Sequence, residues 1–422
     1  MIYISLGSNI GNRLNYLSNA VDLLKKRYLK NMRCSIVLET ECLLPPGALK
    51  EWNKPFLNMI VAGTSDLTPA LLLEGLHQIE REIGKPLSYE RWSPRVIDLD
   101  ILMWRDMIVE TSTLTIPHPE LKNRPFLTHL IAMMDISYKR DLTKQRCFSK
   151  SYTLAPQLVG IVNITHDSFS DGGVYNTVDK ATQHALKLSE EGAHVVEIGA
   201  QSTKPGVSLQ CEEEEYERLE PVLKNLKPFL EKKTLLLSVD TFRPALIRKI
   251  LKNYPISWIN DVTGNLDDDI LQLILDHQCS LVIMHSLGIP PQHDNILPQT
   301  QSPLLPILKW AKRKIDHLQE MGFKQEKIIL DPGIGYGKSA YQNLEILRDL
   351  DALKELGVPL LMGHSRKLYT ESFSMETAQN RDIETLAISG LIAKNIDYLR
   401  VHNVRDHMRF FVAQQALKGG IA

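Results

Sequence analysis

The feature that most constrains the fold is an alternation of short apolar runs and longer amphipathic segments after residue 157. Strands that are buried on both faces, each followed by a helix, are typical of parallel β/α units. Eight such units in about 260 residues match a closed (β/α)₈ barrel. The predicted strands are Leu158–Thr165, Val195–Ser202, Leu235–Thr241, Trp258–Thr263, Ser280–His285, Ile328–Asp331, Pro359–His364 and Tyr398–His402. The predicted helices include Asp179–Glu191, Glu213–Leu226, Pro244–Lys252, Asp269–His277, Ile307–Met321 and Leu344–Leu356.

Polar residues stand at or just past the end of nearly every predicted strand. In a barrel those ends converge on one mouth, so residues far apart in the sequence line a single pocket. Any one of them could equally be a turn former or a helix cap, but their repetition favours a shared site. A doubly wound open sheet is the structural alternative, and it would need fewer strands. The residues are Asn163, Ser202, Thr203, Asp240, Asn260, Asp261, His285, Asp331, Ser365, Arg366, Lys367, Arg400 and His402.

These side chains suit two kinds of ligand. Asp240, Asn260 and Asp331 supply carboxylate and amide groups that can bind a planar heterocycle, and Lys367 can donate to a ring carbonyl or nitrogen. The first and last strands become neighbours when a barrel closes. We therefore expect Asn163, Arg400 and His402 to form an anion or magnesium diphosphate site.

The 422 residues are enough for two compact units, and the weak periodicity of residues 138–151 indicates a boundary. We predict a first domain at 1–140, a linker at 141–155 and the barrel domain at 156–422. The first domain mixes strands and helices, which predicts a small α+β, ferredoxin-like sandwich, so the whole chain is of the α/β class. Its predicted strands are Ile2–Leu6, Ser35–Glu39, Phe56–Gly63 and Asp98–Met103, and its predicted helices are Arg13–Leu24 and Ala70–Glu82.

An Asp-x-Asp pair is the informative motif of the first domain. On a strand, Asp98 and Asp100 point to the same face, so both carboxylates can hold Mg²⁺ ions that bridge phosphates. Taken alone, the tripeptide is more often a solvated strand face. Nearby basic groups that could neutralise a polyphosphate, and the adjacent Trp92, favour the metal site. The basic groups are Lys85, Arg91, Arg95 and Arg124.

Composition limits the partners. A formal net charge of -1 gives no bulk attraction to nucleic acid or to an anionic membrane surface. No apolar run reaches the roughly 20 residues of a membrane span, and the N-terminus lacks a signal-peptide pattern. The five cysteines are scattered and contain no CxxC pair, so we expect reduced thiols and a cytoplasmic location.

The barrel motifs resemble those of dihydropteroate synthase. The matching segments are Gly160–Gly173, Ser202–Gly206, Ser238–Thr241, Ile259–Val262, Asp331–Lys338, Ser365–Lys367 and Arg400–His402. The resemblance implies that p-aminobenzoate displaces diphosphate from hydroxymethyl-dihydropterin diphosphate. It assigns pterin contacts and catalysis to Asp240, Asn260, Asp331 and Lys367, with Met284 as a further pterin contact. It assigns p-aminobenzoate to Phe169, Thr203, Tyr336 and Ser365, diphosphate to Asn163, Arg400 and His402, and Mg²⁺ to Asn163. His166, Lys204 and Asn403 depart from the usual residues of that family.

The first domain resembles hydroxymethyl-dihydropterin pyrophosphokinase. The matching segments are Ser5–Asn9, Glu39–Thr40, Phe56–Asn58, Glu80, Arg91–Trp92, Asp98–Asp100, Pro117–Pro119, Asn123–Arg124 and Phe126. The resemblance implies diphosphate transfer from the co-substrate ATP, with Mg²⁺ on Asp98 and Asp100, which are catalytic together with Arg95. It assigns the pterin to Phe56, Asn58 and Phe126, although both phenylalanines could be plain core residues. It assigns ATP to Glu80, Lys85, Arg91, Trp92, Arg95, His118 and Arg124.

The two resemblances support each other, because the product of the first reaction is the substrate of the second. We therefore expect a bifunctional enzyme with small-molecule substrates and no nucleic-acid or membrane partner. By resemblance it forms a homodimer through barrel helices. One alternative is that either domain is an inactive scaffolding module, which the retention of both polar sets disfavours. Another is a methyltransferase module that binds a pterin, which would not need the Ser202–Gly206 or Arg400–His402 motifs.

Overall fold

A computed structural model describes residues 1–45, 47–88, 90, 92–121, 123–135, 138, 147–164, 178–201, 209–292 and 294–418. The chain divides into two compact units, one of residues 1–154 together with 408–422 and one of residues 155–407. Within the described ranges, no helix is long and apolar enough to cross a membrane.

The first unit is built on one antiparallel sheet with the strand order β5-β1-β4-β3-β8, and β2 pairs with β4. The order of β1, α1, β3, β4, α2 and β5 along the chain is the βαββαβ pattern, so the predicted ferredoxin-like sandwich is confirmed. The strands are β1 (Ile2–Ser8), β2 (Lys30–Cys34), β3 (Val37–Thr40), β4 (Phe56–Thr64), β5 (Asp98–Trp104), β6 (Val109–Glu110), β7 (Thr115–Ile116) and β8 (Lys150–Tyr152). The helices are α1 (Arg13–Arg27), α2 (Pro69–Ile83) and α3 (Pro125–Met134).

Local signals set the helix ends of this unit. Helix α2 starts at Thr68, whose side chain accepts a hydrogen bond from the N–H of Leu71, and Pro69 occupies the first turn. It ends at Gly84, whose left-handed conformation is typical of a helix C-cap. Helix α3 was not predicted. Its buried Leu127 and Leu130 pack in the core cluster that covers one face of the sheet.

Two later segments complete the first unit. Strand β8 pairs with β3 and lies inside the segment that the sequence analysis predicts as a linker. From the end of the chain, Gln415 is buried in the same unit, and its amide nitrogen donates to the carbonyls of Cys34 and Ser35 at 3.0 and 2.8 Å. Its Oε1 accepts from the hydroxyl of Thr153 at 2.6 Å. Residues 408–418 therefore belong to this unit's packing, although sequence reasoning assigned them to the barrel domain.

The second unit is an eight-stranded parallel sheet with the order β14-β13-β12-β11-β10-β9-β16-β15. A parallel bridge between Leu330 and Leu360 joins the two ends of this order, so the predicted (β/α)₈ barrel is confirmed. The strands are β9 (Gln157–Asn163), β10 (Val195–Gly199), β11 (Leu237–Asp240), β12 (Trp258–Asp261), β13 (Ser280–Met284), β14 (Ile328–Asp331), β15 (Leu361–Met362) and β16 (Tyr398–Val401). The helices are α4 (Val178–Glu190), α5 (Glu212–Glu231), α6 (Pro244–Asn253), α7 (Asp268–Asp276), α8 (Leu304–Glu320), α9 (Ala340–Arg348), α10 (Asp351–Lys354), α11 (Asp382–Ile392) and α12 (Val404–Leu417).

Apolar side chains fill the barrel interior below the polar residues, on the side of the amino ends of the strands. These side chains form one buried cluster, which includes Val159, Val195, Trp258, Val282, Ile329 and Leu361. The polar residues predicted from sequence stand nearer the carboxyl ends of the same strands, where barrel enzymes hold their ligands.

Candidate active sites

The first unit contains a cleft between β1, β4, β5 and α3. In the sheet register, Gly7 on β1 lies between Asp98 on β5 and Asn58 on β4. A Cβ atom at Gly7 would lie 3.0 Å from Oδ1 of Asn58, so the absence of a side chain keeps the floor of the cleft open. The lining includes the predicted residues Phe56, Asn58, Trp92, Arg95, Asp98, Asp100, Arg124 and Phe126.

Asp98 is held by two cations. Nζ of Lys85 donates to its Oδ1 at 2.8 Å, and Nη1 of Arg95 donates to its Oδ2 at 2.9 Å. Burial opposes ionisation, but Arg95 and Lys85 outweigh it and hold the pKa of Asp98 below its ordinary value. Asp98 is therefore an anion in this cleft.

Asp100 lies two residues along β5, on the same face as Asp98. Burial, and then the neighbouring charge of Asp98, raise the pKa of Asp100 to about 6. Two adjacent carboxylates in a cleft are the hard oxygen donors that Mg²⁺ prefers, and a divalent cation would relieve their repulsion. No group of three or more His, Cys, Asp or Glu side chains suited to a metal occurs in the part of the chain that the structure describes.

Three residues predicted to bind ATP do not line this cleft. Glu80 and Lys85 are buried, at 4% and 8% exposure, and Oε1 of Glu80 accepts from Nζ of Lys85 and from the N–H of Leu99, both at 2.8 Å. They support Asp98 from the side of α2. Nδ1 of His118 accepts from the N–H of Glu120 at 3.1 Å, and burial followed by Arg124 lowers the pKa of His118.

Phe56 and Phe126 differ in their environment. Phe56 is half-buried, and the guanidinium carbon of Arg95 lies 6.0 Å from the centre of its ring. Phe126 is 8% exposed and belongs to the core cluster, yet it also lines the cleft. The core and the binding interpretations of Phe126 are therefore compatible. Arg91 lies outside the described residues.

The barrel mouth brings together polar groups from neighbouring strands. Asp240 and Asn260 are register partners on β11 and β12, and Nδ2 of Asn260 donates to Oδ1 of Asp240 at 3.1 Å. Within the described residues, the buried Oδ1 of Asn260 has no hydrogen-bond partner. A buried acceptor in this state costs free energy unless a ligand satisfies it. Burial, and then Glu197, raise the pKa of Asp240 well above its ordinary value.

Arg400, on β16, forms two buried ion pairs at the barrel mouth. Its guanidinium donates to Oδ2 of Asp331 at 2.9 Å and to Oε1 of Glu197 at 3.2 Å, with all three side chains buried. The sequence analysis missed Glu197, although a carboxylate inside the apolar run of β10 is a visible signal of a buried ion pair. Oε2 of Glu197 also accepts from the hydroxyl of Ser238 at 3.0 Å.

Lys367 reaches the loop after β14. Its Nζ donates to the carbonyl of Ile334 at 2.6 Å and lies 4.8 Å from the centre of the Tyr336 ring. Burial lowers the pKa of Lys367 to about 7. The buried Lys338 donates to the carbonyls of His285 and Tyr336 at 3.0 and 2.8 Å and fixes this loop.

Asn163, Ser365 and His402 lie at the ends of three adjacent strands, and Met284 lies on a fourth strand. Asn163 ends β9, and His402 follows β16, which pairs with β9. Oγ of Ser365 lies 2.9 Å from Nδ1 of His402, and burial lowers the pKa of that histidine to about 3. Met284 is buried on β13 as the register partner of Asp331. Phe169, Thr203 and the departures His166 and Lys204 lie outside the described residues.

Comparison with protein families agrees with this division of the chain. Residues 3–137 match the model of 7,8-dihydro-6-hydroxymethylpterin-pyrophosphokinase, and residues 159–402 match that of the pterin binding enzyme family. Among solved structures, dihydropteroate synthase from Anaplasma phagocytophilum with bound 6-hydroxymethylpterin-monophosphate is 32% identical, with a TM-score of 0.55. The match covers 63% of this chain and 99% of that one. Xanthomonas albilineans dihydropteroate synthase with 4-aminobenzoic acid is 34% identical, with a TM-score of 0.56, over 63% of this chain and 93% of that one.

Curated relatives match along nearly the whole length. A folate synthesis bifunctional protein of Chlamydia caviae is 38% identical over 98% of this chain and 97% of that protein. One from Arabidopsis thaliana is 30% identical over 96% of this chain and 94% of that protein. The chain therefore belongs to the family of folate synthesis bifunctional proteins, with a hydroxymethylpterin pyrophosphokinase domain followed by a pterin-binding barrel.

Proposed function

We propose that this chain catalyses two consecutive steps of folate synthesis. The first unit transfers diphosphate from ATP to 6-hydroxymethyl-7,8-dihydropterin and releases AMP. The barrel then condenses the pterin diphosphate with p-aminobenzoate to give 7,8-dihydropteroate and diphosphate. The observation that carries this proposal is that a cleft with paired carboxylates and a barrel mouth with an unsatisfied buried amide oxygen occur in one chain, in the order of the two reactions.

In the first reaction, the pterin hydroxyl oxygen attacks the β-phosphorus of ATP. The bond from that phosphorus to the oxygen it shares with the α-phosphate breaks, AMP leaves with that oxygen, and the hydroxyl gives up its proton. Asp98 and Asp100 would hold Mg²⁺, which neutralises phosphate charge when bound. Arg95 and Arg124 would contact the phosphates, and the lining position of Phe56, Asn58 and Phe126 supports a flat heterocycle bound against them.

The support residues of the cleft have a separate role in this proposal. Lys85 ties Glu80 to Asp98 through two 2.8 Å hydrogen bonds. Because Asp98 is thereby fixed and anionic, its carboxylate is ready to act without reorganisation. The proposed contribution of Glu80 and Lys85 to ATP use is indirect, through Asp98.

In the second reaction, the amine of p-aminobenzoate attacks the methylene carbon of the pterin. The bond from that carbon to the diphosphate oxygen breaks, diphosphate leaves with the electron pair, and the amine loses a proton. Asp240, Asn260, Asp331 and Lys367 would bind the pterin ring, and the unsatisfied Oδ1 of Asn260 supports an N–H donor of the ring at that point. Met284 would complete the ring's apolar wall.

The leaving diphosphate would lie where β9 and β16 meet. Arg400 and His402 supply donors there, and Asn163 supplies an amide oxygen suited to Mg²⁺. Tyr336 and Ser365, with Phe169 and Thr203, would contact p-aminobenzoate. Oγ of Ser365 lies 2.9 Å from Nδ1 of His402, which supports adjacent sites for p-aminobenzoate and diphosphate. Adjacent sites suit a reaction in which the amine replaces diphosphate on the methylene carbon.

An assay of the purified full-length chain tests both steps. With hydroxymethyl-dihydropterin, ATP, Mg²⁺ and p-aminobenzoate, we expect AMP and dihydropteroate in equal amounts. AMP without dihydropteroate would refute the synthase function, and the absence of AMP would refute the kinase function. With pterin diphosphate supplied directly, dihydropteroate should form without ATP.

We also propose a homodimer formed through barrel helices. The support is the outer face of α11, where Ile383 and Leu391 are 79% and 78% exposed. Sedimentation equilibrium should give twice the chain mass, and Ile383→Asp should give the monomer. A monomer for the unchanged chain at micromolar concentration would refute this proposal.

The domain limits and the location are proposals as well. We propose a kinase domain of residues 1–140, a connection of residues 141–155 and a synthase domain of residues 156–422, with the last residues also needed by the kinase fold. All five cysteines are free thiols, which supports a reducing, cytoplasmic location.

A further inference from the structure

Helix α11 has an unusual orientation of its polar residues. Its buried residues include Thr385 and Ser389, at 1% and 0% exposure, whereas Ile383 and Leu391 face outward. Asp382, Thr385 and Ser389 are spaced by three and four residues and lie on one helical face. This polar face is turned toward the residues that follow β15 and β16.

The first contact of this polar face stabilises the turn that contains Arg366 and Lys367. Arg366 has a φ of 58°, a left-handed conformation that costs free energy for a residue other than glycine. Its N–H donates to Oγ1 of Thr385 at 3.1 Å, and its guanidinium donates to both oxygens of Asp382 at 2.7 and 2.9 Å. Lys367 is the next residue in this turn, so α11 fixes where its side chain begins.

The second contact reaches the segment after β16. Nδ2 of Asn403 donates to Oδ2 of Asp382 at 3.2 Å. Asn403 directly follows His402, and Asp382 therefore joins the backbone on which His402 stands to the turn on which Lys367 stands.

The third contact is a buried chain of hydrogen bonds through Ser389. Nδ1 of His364 lies 3.1 Å from the hydroxyl of Tyr369, and its Nε2 lies 3.0 Å from Oγ of Ser389. The same Oγ lies 3.1 Å from Nε2 of His407, and Nδ1 of His407 lies 2.7 Å from the carbonyl of Asn403. His364 and His407 are 0% and 1% exposed.

This series of hydrogen bonds has only one possible assignment of donors and acceptors when both histidines are neutral. A carbonyl oxygen only accepts, so Nδ1 of His407 must carry the hydrogen and its Nε2 must accept from Ser389. The Ser389 oxygen then accepts from Nε2–H of His364, whose Nδ1 accepts from the Tyr369 hydroxyl. Burial lowers the pKa of His364 to about 3 and that of His407 below its ordinary value, which favours these neutral forms.

We propose that Asp382, Thr385 and Ser389, together with His364 and His407, are positioning residues of the synthase site. They hold the turn of Lys367 and the segment of His402 in one fixed arrangement, although none of them is proposed to touch substrate. This inference rests on the synthase function proposed above and deepens it. Its physical reason is that a binding site loses much of its effect when its groups are displaced by about 1 Å.

Kinetics of Ser389→Ala in the full-length chain test the proposal. We expect the KM for pterin diphosphate to rise about tenfold and the synthase kcat to fall, because the loss of two buried hydrogen bonds lets the two segments shift. AMP formation by the first unit should not change. Ser280→Ala is the matched control, since Ser280 is a buried serine at the opposite end of a barrel strand.

The changes in KM and in kcat, measured separately, distinguish a loss of positioning from general destabilisation. A variant that merely unfolds in part loses active enzyme, which lowers kcat and leaves KM unchanged. KM values for Ser389→Ala that equal those of Ser280→Ala and of the unchanged chain would overturn the proposal. An unchanged chain without synthase activity would instead overturn the proposed function.

Nitrogen-15 NMR of the histidine rings tests the assignment of donors and acceptors in this series of hydrogen bonds. It uses the unchanged protein, so it does not require that any variant folds. We expect the proton on Nε2 of His364 and on Nδ1 of His407 at pH 7. A reversed tautomer at either ring, or a charged ring, would overturn the proposal.

Discussion

Gly363 lies so close to Arg400 that a Cβ atom at this position would be 2.6 Å from Nη2 of the guanidinium. The guanidinium cannot move aside cheaply, because two buried carboxylates hold it. The glycine before the Lys367 turn is therefore required by the ion pairs of the barrel mouth.

Gly363→Ala should displace Arg400 and lower synthase kcat/KM by at least tenfold. Overpacking of a buried site costs about 1–3 kcal/mol, and tenfold in rate corresponds to about 1.4 kcal/mol. Gly288→Ala is the control, because the nearest atom to its added Cβ would be 3.8 Å away. Steady-state rates with supplied pterin diphosphate measure both, and equal rates would show that Arg400 is free to move.

Asp98→Asn should reduce AMP formation by more than a hundredfold, because the variant removes a proposed metal ligand and the ion pairs of Asp98 with Lys85 and Arg95. Condensation of supplied pterin diphosphate should proceed at the original rate. Asp66→Asn is a control, since Asp66 forms only an exposed pair with Lys30. Loss of both activities in Asp98→Asn would mean that the two sites are not independent.

Gln415→Ala should destabilise the first unit by about 1–3 kcal/mol, because the carbonyls of Cys34 and Ser35 and the hydroxyl of Thr153 lose a buried partner. Kinase activity should then be lost at a lower temperature than in the unchanged chain. Gln272→Ala removes only an exposed hydrogen bond to Asp276 and provides the comparison. An identical inactivation temperature for Gln415→Ala would show that the end of the chain does not support the kinase fold.

Acid should destabilise the barrel through its buried neutral histidines. Burial lowers the pKa of His285 and of His364 to about 3, below the ordinary value of 6.5. At these two histidines the unfolded chain binds more protons than the folded barrel between pH 3 and 6.5, so their contribution to stability falls as the pH is lowered through that window. Urea unfolding of the barrel at pH 7 and pH 5 measures the loss. His285→Met should reduce the difference between the two values, and a difference as large as before would exclude His285 as a contributor.

The fold could be predicted because its signals repeat. Eight apolar strands, each buried on both faces, leave few architectures, and the barrel was predicted correctly. Some shorter or less regular elements were not predicted, each for a local reason. Strand β8 is only three residues long and begins with two polar residues, and Lys30–Cys34 is a partly exposed edge strand. Helix α3 is apolar around most of its surface, so it has little helical periodicity to detect.

The sequence grouped Asp98, Asp100 and Asn58 in one candidate site and Asp240 and Asn260 in another, and the structure brings each set together in space. Glu197 was missed because a single carboxylate in an apolar strand carries no spacing pattern. The polar face of α11 was missed because hydrophobic periodicity assumes that apolar side chains face the core, whereas in α11 Thr385 and Ser389 are buried and Ile383 and Leu391 are exposed.

Residues 408–418 pack in the kinase fold, and this affects when that fold can form during synthesis of the protein. A ribosome releases these residues only after the whole barrel has been synthesised, whereas β8 emerges before the barrel begins. Until then, the carbonyls of Cys34 and Ser35 lack the amide of Gln415. The kinase unit of a nascent chain therefore cannot mature until the barrel has been synthesised, although domains nearer the N-terminus generally fold first. A nonsense mutation between the last barrel strand and Gln415 would therefore weaken the kinase unit, most of which precedes the barrel in the sequence.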